Sequence, residues 1–575
     1  MNFENTEINI FAIIIRAMEK PLHFIEQLIE ADLQNGYNEK TLRFRFPPEP
    51  NGYLHIGHVK AICLNFNLGE KYNAPVHLRF DDTNPAKEEQ QYVEAIKKDI
   101  QWLGYQWSKE CYASDYFEQL YQWAHNLIDK GLAYVDSQDS AAIAEQKGTP
   151  TTAGSLSPYR NRTIKENKDL FQAMHAGEFQ EGEHVLRAKI DMAASNMLLR
   201  DPIMYRIMFK EHHRTGNQWC IYPMYDWTHG ESDYIEQISH SLCTLEFKPH
   251  RDLYNWFLEA LKPHALPLAP KQREFARLNL SYTVTSKRKL AILIEKKIVS
   301  GWDDPRMPTI SGLRRRGYTP QALRNFVAAA GISKRENVID FSLLEFCVRE
   351  DLNQNAPRIN AVLNPVQLII VNYPKDKTEL LEGEINPEKP ALGTRQIPFS
   401  RALYIEREDF KEEANRKFFR LTLGKEVRLK NAYIIKGEGV DKDSEGNITT
   451  IYCSYDPDSK SGSNTEASQR KVKGTLHWVS QAQALPATIN LYDRLFQVAA
   501  PDQDKEVPYL DHINPNSYRQ INAFVEPTVA DALPGATYQF QRLGYFTVDP
   551  DSKKGALVFN KTVGLRDSWA KLSKT

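Results

Sequence analysis

The sequence predicts a multidomain α/β protein: a parallel sheet split by an insertion, a helical segment, and two antiparallel β-barrels at the C-terminal end. Three observations lead there. Strand-like and helix-like segments alternate from residue 42 to 103, the rhythm of a parallel sheet. That rhythm breaks at about 111 and resumes near 219. From about 360, short β-branched runs separated by turns replace it, as in antiparallel barrels. At 575 residues the chain is also too long for one hydrophobic core.

The elements follow in order. Residues 1–18 hold a brief apolar run, too short to span a bilayer and without a cationic leader or cleavage site. Residues 20–36 read as an amphipathic helix stopped by Asn35-Gly36. Leu42, Phe44 and Phe46 alternate with Arg43 and Arg45, the period of a half-buried strand. Pro47, Pro48 and Pro50 exclude helix, and Asn51-Gly52 makes a turn. His55-Ile56-Gly57-His58 then opens a helix with apolar Val59, Ile62, Cys63, Phe66 and Leu68. Residues 75–80 form a second strand ending at Asp81, and 86–103 a second helix with Tyr92, Ile96 and Ile100. Ligands of such sheets bind beyond the strand C-terminal ends, which puts His55, His58 and Asp81 on one rim. Residues 148–158 are a polar loop within the insertion, and 279–355 are helical with a basic run at Arg314-Arg315-Arg316.

The start of a helix attracts anions through its N–H groups and dipole. Two imidazoles three apart there suit an oligophosphate, and Gly57 leaves room for a flat base near the backbone. Downstream, Val284-Thr285-Ser286-Lys287-Arg288-Lys289 reads as a mobile loop able to close over phosphates. Alone, each has a plainer reading: histidines at a helix cap, and a solvated basic loop. The string FPPEPNGYLHIGH is harder to explain by packing. It resembles the HIGH signature of class I aminoacyl-tRNA synthetases, most closely the glutaminyl branch of the glutamyl/glutaminyl subgroup. The segment 285–287 is similar to the second class I signature, with Thr285 where the family usually has Met. The strings WDDPRMPTISGLRRRGYTP (302–320) and VGLRDSWAK (563–571) carry the resemblance from about residue 20 to 572.

The resemblance implies a Rossmann-type catalytic domain in two halves, 37–110 and 223–278, around an acceptor-stem-binding insertion at 111–222. An N-terminal extension and helix (1–36) precede it. The signature loop with a helical subdomain (279–355) and anticodon-binding β-barrels (356–575) follow. The implied reaction joins L-glutamine to the 3′ end of tRNA(Gln) through an adenylate, using ATP with Mg²⁺ and releasing AMP and pyrophosphate. His55, His58, Ser286 and Lys287 would carry catalysis. Glu49, Pro50, Asn51, Ile56, Gly57, Val59, Lys60, Ala61, Thr244, Arg277, Leu278 and Thr285 would line the ATP site. Arg45, Asp81, Tyr225 and Gln272 would line the glutamine site. For Asp81 an Asx turn before Pro85 is an equal alternative. Lys334, Arg358, Arg420, Gln539 and Arg542 match positions resembling anticodon readers. Lys417 and Pro249 depart from the family pattern, at an anticodon and an acceptor-stem position.

Composition limits the rest. The formal net charge of −1 excludes a global basic field, so RNA contacts must be local patches. Six scattered cysteines lack C-x2-C spacing, which argues against zinc and fits a reducing, cytoplasmic setting. No carboxylate cluster in the sequence marks a protein-held metal. No membrane or DNA partner is expected, and the resemblance suggests a monomer. Three alternatives remain open: a glutamyl enzyme of archaeal or eukaryal type, a nucleotidyltransferase acting without tRNA, and an inactive RNA-binding relative. The chain length argues against the second, and retention of His55, His58, Ser286 and Lys287 against the third.

Overall fold

The computed structural model describes residues 21–86, 88–261, 269–415, 417–504 and 506–566. The apolar run within 1–18 and the end of VGLRDSWAK lie outside them. The chain forms two compact units, Met1–Asn279 with Val327–Asn337, and Leu280–Phe326 with Val338–Thr575.

In the first unit, helix α1 (Phe24–Gln34) starts with a reciprocal cap between His23 and Glu26. Strands β1 (Phe44–Phe46), β2 (Val76–Phe80) and β3 (Lys109–Tyr112) form a parallel sheet in that order. Helices α2 (Ile56–Lys71) and α3 (Gln90–Trp102) connect them. Every residue of β1 and β2 is buried. The half-buried reading of β1 is therefore corrected: Arg45 is fully buried, because a parallel sheet is covered on both faces. β3 crosses the expected boundary at 110/111.

The insertion builds its own antiparallel sheet. After α4 (Phe117–Asp129) come β4 (Ala133–Asp136), α5 (Ile164–Ala176), β5 (Val185–Ala188), β6 (Ile203–Ile207) and β7 (Ile221–Pro223). The sheet order is β4-β5-β6-β7. The parallel sheet was expected to resume near 219, but β7 pairs antiparallel with β6. An apolar run looks alike in either sheet; its partner decides, and Trp219, Ile221 and Tyr222 pack with Phe117, Phe171 and Met204 in the insertion core. The polar loop at 148–158 is stapled by buried Arg200, which donates to the carbonyls of Lys147, Thr149 and Thr152.

Helix α6 (Tyr225–Ile235) leads to β8 (His240–Thr244), α7 (Arg251–Leu261) and β9 (Lys271–Phe275). β8 and β9 are parallel. Ser239 N–H donates to Arg43 O at 3.0 Å, and Arg45 reaches Ser241 and Leu242 O. β8 thus runs beside β1 in the same direction. The C-terminal ends of β1, β2 and β8 form one rim.

In the second unit, helix α8 (Lys287–Glu295) packs Leu290 and Leu293 against Val284, Met307, Leu495 and Phe496. The basic run is engaged structurally: Arg315 grips Asp549 with two bonds of 3.0 Å, and Arg316 donates to Thr562 O. Two seven-stranded sheets follow. The outer strands of one, Arg358–Ile359 and Ala361–Val362, are consecutive in the chain. That sheet must curl until its edges nearly meet, a barrel-like form. The antiparallel expectation is corrected to mixed sheets. Pro365–Ile370 pairs parallel with Ile448–Tyr455, and Leu485–Tyr492 parallel with Leu557–Gly564. Such pairs join strands remote in sequence, which local alternation does not reveal.

Glu231 on α6 is fully buried, and both carboxylate oxygens lack a hydrogen-bond partner. Burial raises its pKa well above the ordinary range. The folded state then holds a proton that the unfolded chain releases above about pH 4.5. Stability is fully present below that pH and falls as pH rises, by about 1.4 kcal/mol per unit for one proton. Glu231→Gln should remove this component. Denaturation at pH 5 and pH 8 should show a smaller difference for the variant than for the unaltered protein.

Candidate active site

The histidine loop follows β1. It is fixed by Asp81 N–H donating to Pro48 O (3.0 Å) and Glu89 N–H to Pro50 O (3.2 Å). His55 is the N-cap of α2, and the two histidines form a reciprocal capping box. His55 Nδ1 accepts from Gly57 N–H, and His58 Nδ1 accepts from His55 N–H, both at 3.1 Å. Their ring centroids lie 3.9 Å apart. The Nδ1 atoms act as acceptors, so each neutral ring carries its proton on Nε2 and offers it as a donor. The capping reading and the functional reading are therefore both true: capping sets the tautomer. Gly57 is also required by the histidine itself. A Cβ there would lie 2.9 Å from His55 Cε1 and 3.8 Å from Leu278 O. The glycine makes room for the imidazole.

Behind the rim lies a buried ion cluster. Asp233 on α6 accepts from Arg45 (2.9 Å), Arg79 (2.8 Å), Ser241 Oγ (2.6 Å) and Tyr254 (3.0 Å). Burial alone would raise the pKa of its carboxyl, but Arg45 and Arg79 override that and hold it far below the usual range. Arg79 also reaches Glu236, which accepts from His77 and Tyr116. His229 sits 3.0 Å from Arg45 and stacks on Tyr225 at 4.9 Å. Burial drives its pKa down to about 3, so its ring is neutral.

The residues assigned to the amino acid surround this cluster. Arg45 is a correction: its guanidinium is engaged by Asp233, Leu242 O, Ser241 and His229. Its donors are held by the protein rather than presented as an open fork. Asp81 is buried, and its Oδ1 has no protein partner. Burial pushes its pKa up to about 7, with Arg79 opposing and Glu49 and Asp82 adding to it. Tyr225 keeps its proton through burial and the nearby charge of Asp81. Gln272 is buried, and its amide nitrogen donates to Phe247 O (3.1 Å) and Glu274 (3.0 Å).

Of the residues assigned to the nucleotide, Pro50, Val59 and Leu278 are buried, and Glu49 is exposed. Lys60 is buried, and burial lowers its pKa. Ile56 is buried; Asn51 and Ala61 are half-buried. Thr244 ends β8 and donates to Glu246 (2.8 Å), which faces Arg277 at 3.9 Å. Ser286 is the N-cap of α8 and exposed, Thr285 is half-buried, and Lys287 is the first helical residue. The expected loop is thus a helix start with cations in its first turn, where the dipole disfavours them. Lys289 is anchored to Asp502 (3.1 Å), and Tyr509 donates to Lys289 O.

Of the five residues assigned to the anticodon, four fall in the second unit. Arg358 and Gln539 are register partners on adjacent strands. Arg542, at φ +66°, forms two bonds to buried Asp409 (2.6 and 2.8 Å), and Arg420 lies 3.2 Å from the same carboxylate. Arg358 is buried and donates to Ala356 O and Asn353; a base contact requires exchanging those bonds. Lys334 is the fifth. It lies in the first unit, with Nζ 4.9 Å from the Phe24 ring, because segment 327–337 returns to the Arg277 edge.

Sequence reasoning missed Arg79, His229, Asp233 and the His212–Asp82 link. The signal was present: charged residues inside apolar strands need buried partners. His212 Nδ1 accepts two backbone N–H groups and its Nε2 donates to Asp82 O, tying the insertion to the end of β2. Asp409→Asn should weaken the grip on two arginines and cost roughly 1–3 kcal/mol, measured by chemical denaturation of the full chain.

Three family models match: "tRNA synthetases class I (E and Q), catalytic domain" at residues 41–354, and the corresponding anti-codon binding domains at 356–456 and 475–549. Glutamine–tRNA ligase of Vibrio cholerae (strain M66-2) is 55% identical over 560 residues, 97% of this chain and 99% of that enzyme. The Proteus mirabilis enzyme of the same name is 55% identical over 556 residues, 96% of this chain and 99% of that protein. The chain belongs to the class I tRNA synthetases of the glutamyl and glutaminyl group.

Proposed function

We propose that this enzyme ligates L-glutamine to its tRNA in two steps. The glutamine carboxylate attacks the α-phosphate of ATP to give glutaminyl-adenylate and pyrophosphate. The 2′-hydroxyl of the terminal ribose then attacks the activated carbonyl, and AMP leaves. The observation that carries the reading is buried Asp81, whose Oδ1 lacks a protein partner on the rim that holds the His55–His58 pair. A buried carboxylate without a cation is costly unless a ligand brings one. The α-ammonium of glutamine is that cation.

Full-length similarity to glutamine–tRNA ligases supports the substrate. Selection against glutamate has a physical basis. Both amide hydrogens of Gln272 are engaged, so only its oxygen remains to meet a ligand. That oxygen accepts from a carboxamide and repels a carboxylate. Asp81, when ionised, adds to the repulsion.

Nε2–H groups of His55 and His58 would donate to phosphate oxygens; the family resemblance, rather than geometry, assigns Ser286 and Lys287 to the departing pyrophosphate. A polyanion also relieves the misfit of cations at the α8 start. Mg²⁺ accompanies ATP, and we assign it no side chain. The order β9-β8-β1-β2-β3 supports a doubly wound Rossmann reading of the catalytic domain; we assign the sheet at 133–223 an acceptor-stem role and local cationic patches of the barrel-like sheets the anticodon contact. We read the enzyme as a cytoplasmic monomer; among the described residues no helix is long and apolar enough to cross a membrane.

ATP–pyrophosphate exchange and tRNA charging with glutamine and glutamate test the reading; charging with glutamate at the glutamine rate would overturn it. Asp81 must be a carboxylate to bind ammonium, so kcat/KM for glutamine should fall as pH drops below about 7. Asp81→Asn should abolish that dependence together with most activity. Lys287→Ala should slow adenylate formation by about 10²–10³-fold, while tRNA affinity stays within about twofold.

A further inference from the structure

Beside Arg420, an aromatic side chain is left outside the cores. Phe419 is 53% exposed, although Leu421, two residues on, is wholly buried. The backbone there is fixed. Leu421 N–H donates to Asp409 O (3.0 Å), and Lys411 N–H to Leu421 O (3.2 Å). The Phe419 carbonyl lies against Gly474, where a Cβ would come within 2.5 Å of it. The exposure of the ring is therefore built in.

Cations frame it. Lys473 Nζ lies 5.6 Å from the Phe419 ring centroid, and Lys411 Nζ lies 5.3 Å from that of Phe418. Arg420 follows directly, and Lys417 is exposed two residues before. Two nearby carboxylates have cation partners: Asp409 is shared by Arg420 and Arg542, and Glu412 holds Lys442 (2.7 Å). Single exposed aromatics are common. A rigidly presented ring set among cations differs from them: it matches a base with its phosphates, since bases stack on aromatic faces and phosphates need cations.

We propose that Phe419 is a stacking platform for one unpaired base of the tRNA anticodon loop, with Lys473 and Arg420 facing the flanking phosphates. This rests on the tRNA-ligase reading above. The cationic surroundings favour a nucleotide over an apolar peptide.

Charging kinetics test it, using full tRNA and a set of tRNAs each abasic at one anticodon-loop position. Phe419→Ala should raise KM for full tRNA about 5- to 100-fold with kcat unchanged, and Phe419→Trp should restore KM to within about threefold. On one abasic tRNA the Phe419→Ala penalty should disappear, because the partner base is already gone. An unchanged KM, or a penalty of equal size on every abasic tRNA, would overturn the proposal. Failure of the unaltered protein to charge full tRNA would instead count against the tRNA-ligase reading.

Discussion

Two guanidiniums closing on one buried carboxylate organise the catalytic unit. Arg45 comes from β1, Arg79 from β2 and Asp233 from α6, with Ser241 from β8 and Tyr254 from α7 completing the shell. Ions removed from water cost several kcal/mol each unless their geometry and hydrogen bonds are complete. Here they are nearly complete, and the cluster joins strands whose next residues build the rim. The histidine loop follows β1, Asp81 follows β2, Thr244 ends β8, and Tyr225 opens α6. The cluster is therefore the reference frame from which the pocket is measured.

The rim then works by controlled shortage. The histidines satisfy helix-start amides with Nδ1, which fixes the proton of each neutral ring on Nε2. Asp81 retains an oxygen without a protein partner, next to other acids, which calls for a cation. In the proposed reaction glutamine and ATP would supply that cation and a matching anion together. Arg45, buried and engaged by Asp233, Ser241 and Leu242 O, holds the strands together. The same logic governs the second unit, where Asp409 gathers Arg420 and Arg542 so that cations stand close without repelling one another apart.

Much of this was legible in the sequence, for stated physical reasons. The first two strands and helices followed from apolar periodicity, and the histidine turn from proline and glycine punctuation. The meaning of Arg45 was not legible: alternation with Phe44 and Phe46 suggests one wet face, and only the parallel pairing shows both faces covered. The run at 219–223 was placed in the wrong sheet, since its partner β6 is invisible to local pattern. Lys334 was read within one helical stretch, 279–355, whereas segment 327–337 leaves that stretch and belongs to the catalytic unit. Parallel pairs within the barrel-like sheets escaped for the same reason, being long-range contacts.

The account stands or falls on whether the ion cluster positions the rim. Asp233→Asn keeps shape while removing the charge that two buried arginines share, which should cost about 3–5 kcal/mol of stability. The decisive measurement is ATP–pyrophosphate exchange by Asp233→Asn under conditions where the variant is verified as folded. Loss of most exchange, with a raised KM for glutamine, is the predicted result. A folded variant that exchanges at the unaltered rate would contradict the account.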